Sequence, residues 1–248
     1  MMSCSRHMMG AGLQEGVEFM PREIIPGVLL WKSRLSPREQ SALLGDVMAR
    51  IARAPFFRPE MPRTGKPFSV EMSNFGVLGW MSDQAAGYRY EPRHPQTGDV
   101  WPDIPPALLR LWEELTSYPA LPQACLVNLY RGKARMGLHQ DLDETALDAP
   151  VLSISLGDQA IFRFGAPSKK EPTSSIVLAS GDVLLLSGPA RLCRHGIDRI
   201  RKGSSRLISG GGRINLTLRR VTPAENITAG QNSDRPSIAP VSAGIGRG

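Results

Sequence analysis

His139 and Asp141 stand two residues apart in the stretch GLHQDLDE, in a chain with only four histidines. In extended backbone, residues i and i+2 face the same side. An imidazole nitrogen and a carboxylate oxygen can therefore meet at one point, which suits a divalent metal. Two donors leave such a site underliganded, and a third must come from elsewhere. His195 is the candidate, in SGPARLCRHGIDRI after the apolar run DVLLLSG. Two histidines and one carboxylate form the facial triad of non-haem iron oxygenases, with positions left open for a co-substrate and oxygen. The same donors also suit zinc and hydrolysis, and an H-x-D pair by itself is common in proteins that bind no metal.

The segment GGGRINLTLRR adds a second kind of chemistry. In a strand, Arg213, Asn215, Thr217 and Arg219 share one side, and Ile214, Leu216 and Leu218 share the other. Two guanidiniums on a buried face are costly unless they meet anions. A dicarboxylate such as 2-oxoglutarate satisfies both, because arginine binds carboxylate bidentately. The alternative is a basic strand facing solvent.

These residues need strands to carry them, and the second half of the chain supplies short apolar runs. ACLVNLYRG, VLSISLGDQAIFRFG, SSIVLASGDVLLLSG and RINLTLRRV are separated by Gly, Pro, Asp and Ser, a pattern of a sandwich or jelly roll and not of a βαβ fold. The first half is mixed. SPREQSALLGDVMARIARA predicts a helix in which Ser36, Pro37 and Glu39 form the start signal and Leu43, Leu44, Val47, Met48 and Ile51 one apolar face. PPALLRLWEELTSY predicts a second helix, with Leu108, Leu111, Trp112 and Leu115 apolar. Between them, residues 55–106 read as loop-rich, with aromatic residues interleaved with basic ones.

The 248 residues, 41% hydrophobic, suffice for one substantial core. Residues 1–18 read as a flexible N-terminal arm, and residues 222–248, rich in Pro, Gly, Ser and Ala, as a disordered tail. No apolar run is long enough for a membrane span, no signal peptide is expected, and three widely spaced cysteines fit a reducing compartment. A soluble, cytoplasmic protein is expected, with no membrane contact and no obligate protein partner. The net charge of +7 and pI near 9.7 favour a polyanionic partner. Arg199, Arg201 and Lys202 are candidate phosphate contacts. Gly210 to Gly212 precede a strand and not a helix, so they are not a phosphate loop.

Taken in order and spacing, NLYRGKARMGLHQDLDE, APVLSISLGDQAIFRFG, SGDVLLLSGPARLCRHGI and RINLTLRR, together with MSNFGVLGW and GYRYEPRHPQTGDVWPDIP, resemble the AlkB family of Fe(II)/2-oxoglutarate-dependent dioxygenases. The likeness covers about residues 19–221. It implies a mainly β fold with flanking helices (α+β): a double-stranded β-helix, or jelly roll, with an N-terminal nucleotide-recognition lid. The single domain would span 19–221, the lid about 55–106 and the catalytic core 120–221. The resemblance implies iron held by His139, Asp141 and His195. It implies 2-oxoglutarate held by Asn128, Tyr130, Arg213, Asn215 and Arg219, with Arg213 at the distal carboxylate and Arg219 at the metal-chelating end. It places Trp80 and His139 on the two faces of a flipped base, Asp143 near that base's exocyclic nitrogen, and Tyr88 and Tyr90 on the strand's backbone. Lys169 stands where the best-known member has an arginine, which leaves substrate preference open.

The activity implied is oxidative demethylation of 1-methyladenine and 3-methylcytosine in DNA, with RNA also in range. It would consume Fe(II)-bound 2-oxoglutarate and O2 and release succinate, carbon dioxide and formaldehyde. The alternatives are a 2-oxoglutarate oxygenase of RNA, protein or a small molecule, and a damaged-base binder without turnover.

Overall fold

Strands in the second half pass back and forth between two facing sheets, with one hairpin kept within the smaller sheet, and that crossing builds the fold. The computed structural model describes residues 20–168 and 170–224. The chain opens with β1 (Arg22–Ile25), β2 (Val28–Trp31) and α1 (Pro37–Ile51). Next come β3 (Glu71–Gly76), β4 (Gly79–Asp83), β5 (Gly87–Glu91) and α2 (Pro106–Thr116). The remaining strands are β6 (Ala124–Tyr130), β7 (Met136–His139), β8 (Val151–Gly157), β9 (Gln159–Gly165), β10 (Thr173–Leu178), β11 (Val183–Leu186), β12 (Arg194–Arg201) and β13 (Arg213–Arg219).

The larger sheet runs β1-β2-β11-β8-β13-β6-β3 and the smaller β10-β9-β12-β7, while β4 and β5 form a separate hairpin. Four strands from Ala124 onward lie in each sheet, all pairings being antiparallel. This is a double-stranded β-helix.

The central strands of the large sheet are buried on both faces, which is why ACLVNLY and RINLTLR carry so few exposed positions. Their two sides differ. Cys125, Val127, Leu129, Leu152, Ile154, Leu156, Ile214, Leu216 and Leu218 pack with the buried sides of α1 and α2. Alternate residues face the small sheet, where Leu126, Tyr130, Leu184 and Leu186 meet Phe162, Phe164 and Ile197. Helix α1 starts at a full capping box: the Ser36 hydroxyl accepts from Glu39 N, and Glu39 accepts from Ser36 N. Its buried stripe is Leu43, Val47 and Ile51. Met48, expected on that face, is 46% exposed, because the i, i+4, i+8 stripe leaves it to one side.

The segment expected to be loop-rich holds three strands. β3 joins the edge of the large sheet beside β6. Its polar residues conceal it: Ser73 and Asn74 are fully buried. The Ser73 hydroxyl donates to Ala54 O at 2.7 Å. The Asn74 side chain accepts from Trp80 N and donates to Trp80 O, both at 3.1 Å. That second pair anchors the β4–β5 hairpin and sets the backbone of Trp80. Among the described residues no helix is long and apolar enough to cross a membrane.

Candidate metal centre and its pocket

The two sheets bring the metal-type residues together through one register. β12 pairs with β7 so that His195 lies opposite His139. Gly196 permits the approach, since a Cβ there would fall 2.6 Å from the carbonyl oxygens of both Met136 and Gly137. Asp141 follows β7 by two residues, and the ligand atoms of His139, Asp141 and His195 all lie within 4.8 Å of one another. His139 Nε2 is 3.6 Å from Asp141 Oδ1, and His195 Nε2 is 3.5 Å from Asp141 Oδ2.

The histidine orientations follow from their backbone partners. His139 Nδ1 sits 2.9 Å from Gly137 O and His195 Nδ1 3.1 Å from Cys193 O. A carbonyl only accepts, so each Nδ1 carries the proton and each Nε2 presents its lone pair. Two lone pairs then converge on a carboxylate, an arrangement that repels itself unless a cation lies between. No described group donates to Asp141 Oδ2. Burial raises the Asp141 carboxyl, but the Arg219 guanidinium beside it outweighs that and holds it well below the usual carboxylate range. Burial pulls His195 down to about 4, so it is neutral and ready to ligate at neutral pH. The donor set and its unsatisfied atoms fit a divalent metal.

The triad lines a cavity of about 470 Å³ whose wall also includes Asn128, Tyr130, Arg213, Asn215 and Arg219. Arg213 is 1% exposed. Its Nη2 donates to Ser155 Oγ at 3.0 Å and Asn215 Oδ1 at 2.6 Å. Its Nε and Nη1 have no acceptor among the described residues, nor does Arg219 Nε. Burial draws Arg213 down to about 10, with Tyr130 and Asp182 too weak to offset it. Burial likewise pushes Tyr130 up to about 12. A buried guanidinium with two unsatisfied N–H edges calls for an anion. Arg219 is differently held, with Nη2 2.8 Å from Asp141 Oδ1 and Nη1 2.7 Å from Glu144 Oε1. Burial opposes its charge, yet Asp141, Tyr90 and Glu144 raise its pKa well above the ordinary value.

Trp80, Tyr88 and Asp143 line the same cavity. Trp80 stacks on Tyr88 with ring centres 5.6 Å apart and donates Nε1 to Asp143 Oδ2 at 2.8 Å. Tyr90 behaves otherwise than expected of a strand contact: its hydroxyl turns inward to Glu144 Oε1 at 2.5 Å. Lys169 lies outside the described residues. Arg199 pairs with Asp198 at 3.0 Å, near the end of β12 remote from His195. Glu144 and Arg191, both buried, were not singled out from sequence. The signal available was arithmetic: two inward arginines need two anions, and GLHQDLDE holds a third acid.

The jelly roll, the triad and the orphaned arginine edges together define an oxygenase-type site. A profile of the 2OG-Fe(II) oxygenase superfamily matches residues 24–219. The AlkB homologue of Caulobacter vibrioides, an alpha-ketoglutarate-dependent dioxygenase, is 56% identical over 204 residues, covering 82% of this chain and 92% of that one. Alpha-ketoglutarate-dependent dioxygenase AlkB of Escherichia coli is 37% identical over 202 residues, covering 80% and 91%. The solved structure of OsALKBH1 superposes with a TM-score of 0.70 at 30% identity, covering 81% of this chain and 99% of that one. The chain belongs to the AlkB family of Fe(II)- and 2-oxoglutarate-dependent dioxygenases. Its cofactors are Fe(II), 2-oxoglutarate and O2.

Gly196→Ala offers a direct check on the register. The added methyl must push β12 from β7 and separate His195 from His139. We expect divalent-metal affinity, read by calorimetry with Mn(II), to fall about a hundredfold or more, with a stability loss of about 1–3 kcal/mol from overpacking.

Proposed function

We propose that this protein oxidatively demethylates N-alkylated bases, 1-methyladenine and 3-methylcytosine among them, in DNA, with RNA also in range. The carrying observation is Arg213, a buried guanidinium with two nitrogens that have no partner among the described residues, in the same cavity as the triad. His139, Asp141 and His195 are the metal ligands in this reading. Arg213 takes the distal carboxylate of 2-oxoglutarate, Arg219 faces its metal-chelating end, and Asn128, Tyr130 and Asn215 complete the cradle. Bound Fe(II), with 2-oxoglutarate and O2, supplies the oxidising power that hydroxylates the N-methyl carbon. The hydroxymethyl base then releases formaldehyde.

The chain's own residues do the selecting. Alkylation at a ring nitrogen leaves the base cationic. An indole face and a carboxylate both attract such a ring, and Trp80 and Asp143, joined by their hydrogen bond, offer both. Tyr88 stands 53% exposed at the same wall, where it can meet the sugar-phosphate chain. A base within a duplex cannot enter such a cavity, so the substrate must be single-stranded or the base flipped out. The cavity's apolar lining, including Phe68, Met72 and Phe162, excludes water around the reacting methyl.

Trp80→Ala tests the base-binding role. Loss of stacking, worth about 1–3 kcal/mol per base, should raise the KM for a methylated oligonucleotide about ten- to hundredfold. Succinate formation in the absence of nucleic acid should persist. An unchanged oligonucleotide KM would remove Trp80 from the base site.

A further inference from the structure

A second acid is buried beside the metal ligands, and it does not line the cavity. The Glu144 side chain is fully shielded. Its carboxylate accepts from Arg219 Nη1 at 2.7 Å, Arg191 Nη2 at 3.2 Å and the Tyr90 hydroxyl at 2.5 Å. Arg191 also gives Nη1 to Asp141 O at 3.0 Å and Nε to Ala149 O at 2.7 Å, closing residues 141–149 around the cluster. The Arg219 guanidinium is thus held by both Nη atoms, one on Asp141 and one on Glu144. Nε has no partner among the described residues, in a residue that lines the cavity. Tyr90 belongs to β5, so the hairpin that carries Trp80 reaches the same carboxylate.

We propose that Glu144 is a positioning residue: it fixes Arg219 against Asp141 and, through the Tyr90 hydroxyl, registers the β4–β5 hairpin on that pair. The chemistry follows from charge and aim. Asp141 serves both the metal and Arg219. Without Glu144 the guanidinium would bring its whole charge to Asp141, compete with the metal there, and be free to rotate away from the co-substrate. With Glu144 in place Arg219 is shared between two acids and its direction is set.

This inference rests on the proposed role of Arg219 toward 2-oxoglutarate. The test titrates 2-oxoglutarate into the Mn(II)-loaded full chain by calorimetry under inert gas, for wild type, Glu144→Gln and Tyr90→Phe. KM values for 2-oxoglutarate and for a methylated oligonucleotide are measured in parallel. Glu144→Gln should weaken 2-oxoglutarate binding about tenfold or more, as expected for a lost charge-assisted hydrogen bond. The KM for 2-oxoglutarate should rise in step, with the loss carried by KM and not by kcat. A purely structural Glu144 would instead lower kcat through a smaller folded fraction and leave KM in place, and that result would overturn the proposal. Tyr90→Phe changes no charge and keeps the ring, so it serves if Glu144→Gln does not fold. It should raise both KM values about threefold; two unchanged KM values would overturn the proposal. Absence of 2-oxoglutarate binding in wild type would overturn the reading of Arg219 itself, and the proposal with it, a result distinct from binding that ignores both substitutions.

Discussion

Replacing Arg213 by methionine will make the metal-free protein harder to unfold and nearly unable to use 2-oxoglutarate. Arg213 is among the largest fully buried side chains. Its hydrogen bonds go to Ser155 and Asn215, both neutral, and the Tyr130 ring lies 5.5 Å from its guanidinium carbon. No carboxylate pairs with it among the described residues, so its charge is desolvated without a counter-ion. Methionine fills similar space with a flexible apolar chain. Ser155 and Asn215 lose a donor, which costs about 1 kcal/mol, but removing the uncompensated charge gains more. A net stabilisation of about 1–2 kcal/mol is expected in urea unfolding. Function moves the other way. Loss of a charge-assisted contact to a carboxylate should raise the KM for 2-oxoglutarate about a hundredfold or more. A destabilised variant with an ordinary KM would show that Arg213 is a structural residue.

Asp141→Asn should do the reverse to stability and still destroy activity. The carboxamide keeps the shape of the side chain and removes its charge. Metal affinity should drop about a thousandfold, beyond the roughly 10–100-fold that follows loss of an outer hydrogen-bond partner. Turnover should fall to background. The metal-free protein should also lose about 1–2 kcal/mol, because the charge-assisted bond from Arg219 to Asp141 Oδ1 at 2.8 Å is weakened, while Glu144 still pairs with Arg219 and the histidine lone pairs no longer face a carboxylate. Calorimetry with Mn(II) and urea unfolding report the two effects separately. The opposite signs expected at Arg213 and Asp141 distinguish a charge kept for a ligand from a charge already paired within the protein.

The triad and the arginine strand were readable in the sequence because both rest on the two-residue period of extended chain. Arg213, Asn215, Thr217 and Arg219 all line the cavity, as their spacing required, with Ile214, Leu216 and Leu218 turned to the helix side. The capping box of α1 was equally local. What escaped notice depends on distant partners. β3 lacked an apolar alternation because buried Ser73 and Asn74 are satisfied by Ala54 and Trp80. Glu144 meets Arg191 and Arg219, 47 and 75 residues away in the chain, and no local pattern signals such a pairing. Tyr90 looked like its neighbour Tyr88. Only the fold separates them, turning Tyr88 to the cavity and the Tyr90 hydroxyl to Glu144. The expected arm over residues 1–18 lies outside the described residues, as does the expected tail beyond Ala224.

The most direct measurement is the mass of a single-stranded oligonucleotide carrying one 3-methylcytosine, after incubation with the protein, Fe(II), 2-oxoglutarate and ascorbate in air, with Asp141→Asn run beside it. The predicted result is loss of the methyl group's mass with wild type only, accompanied by succinate. An unchanged oligonucleotide while succinate still accumulates would contradict the nucleic-acid substrate. No succinate from folded, iron-loaded protein would contradict the proposed reaction as a whole.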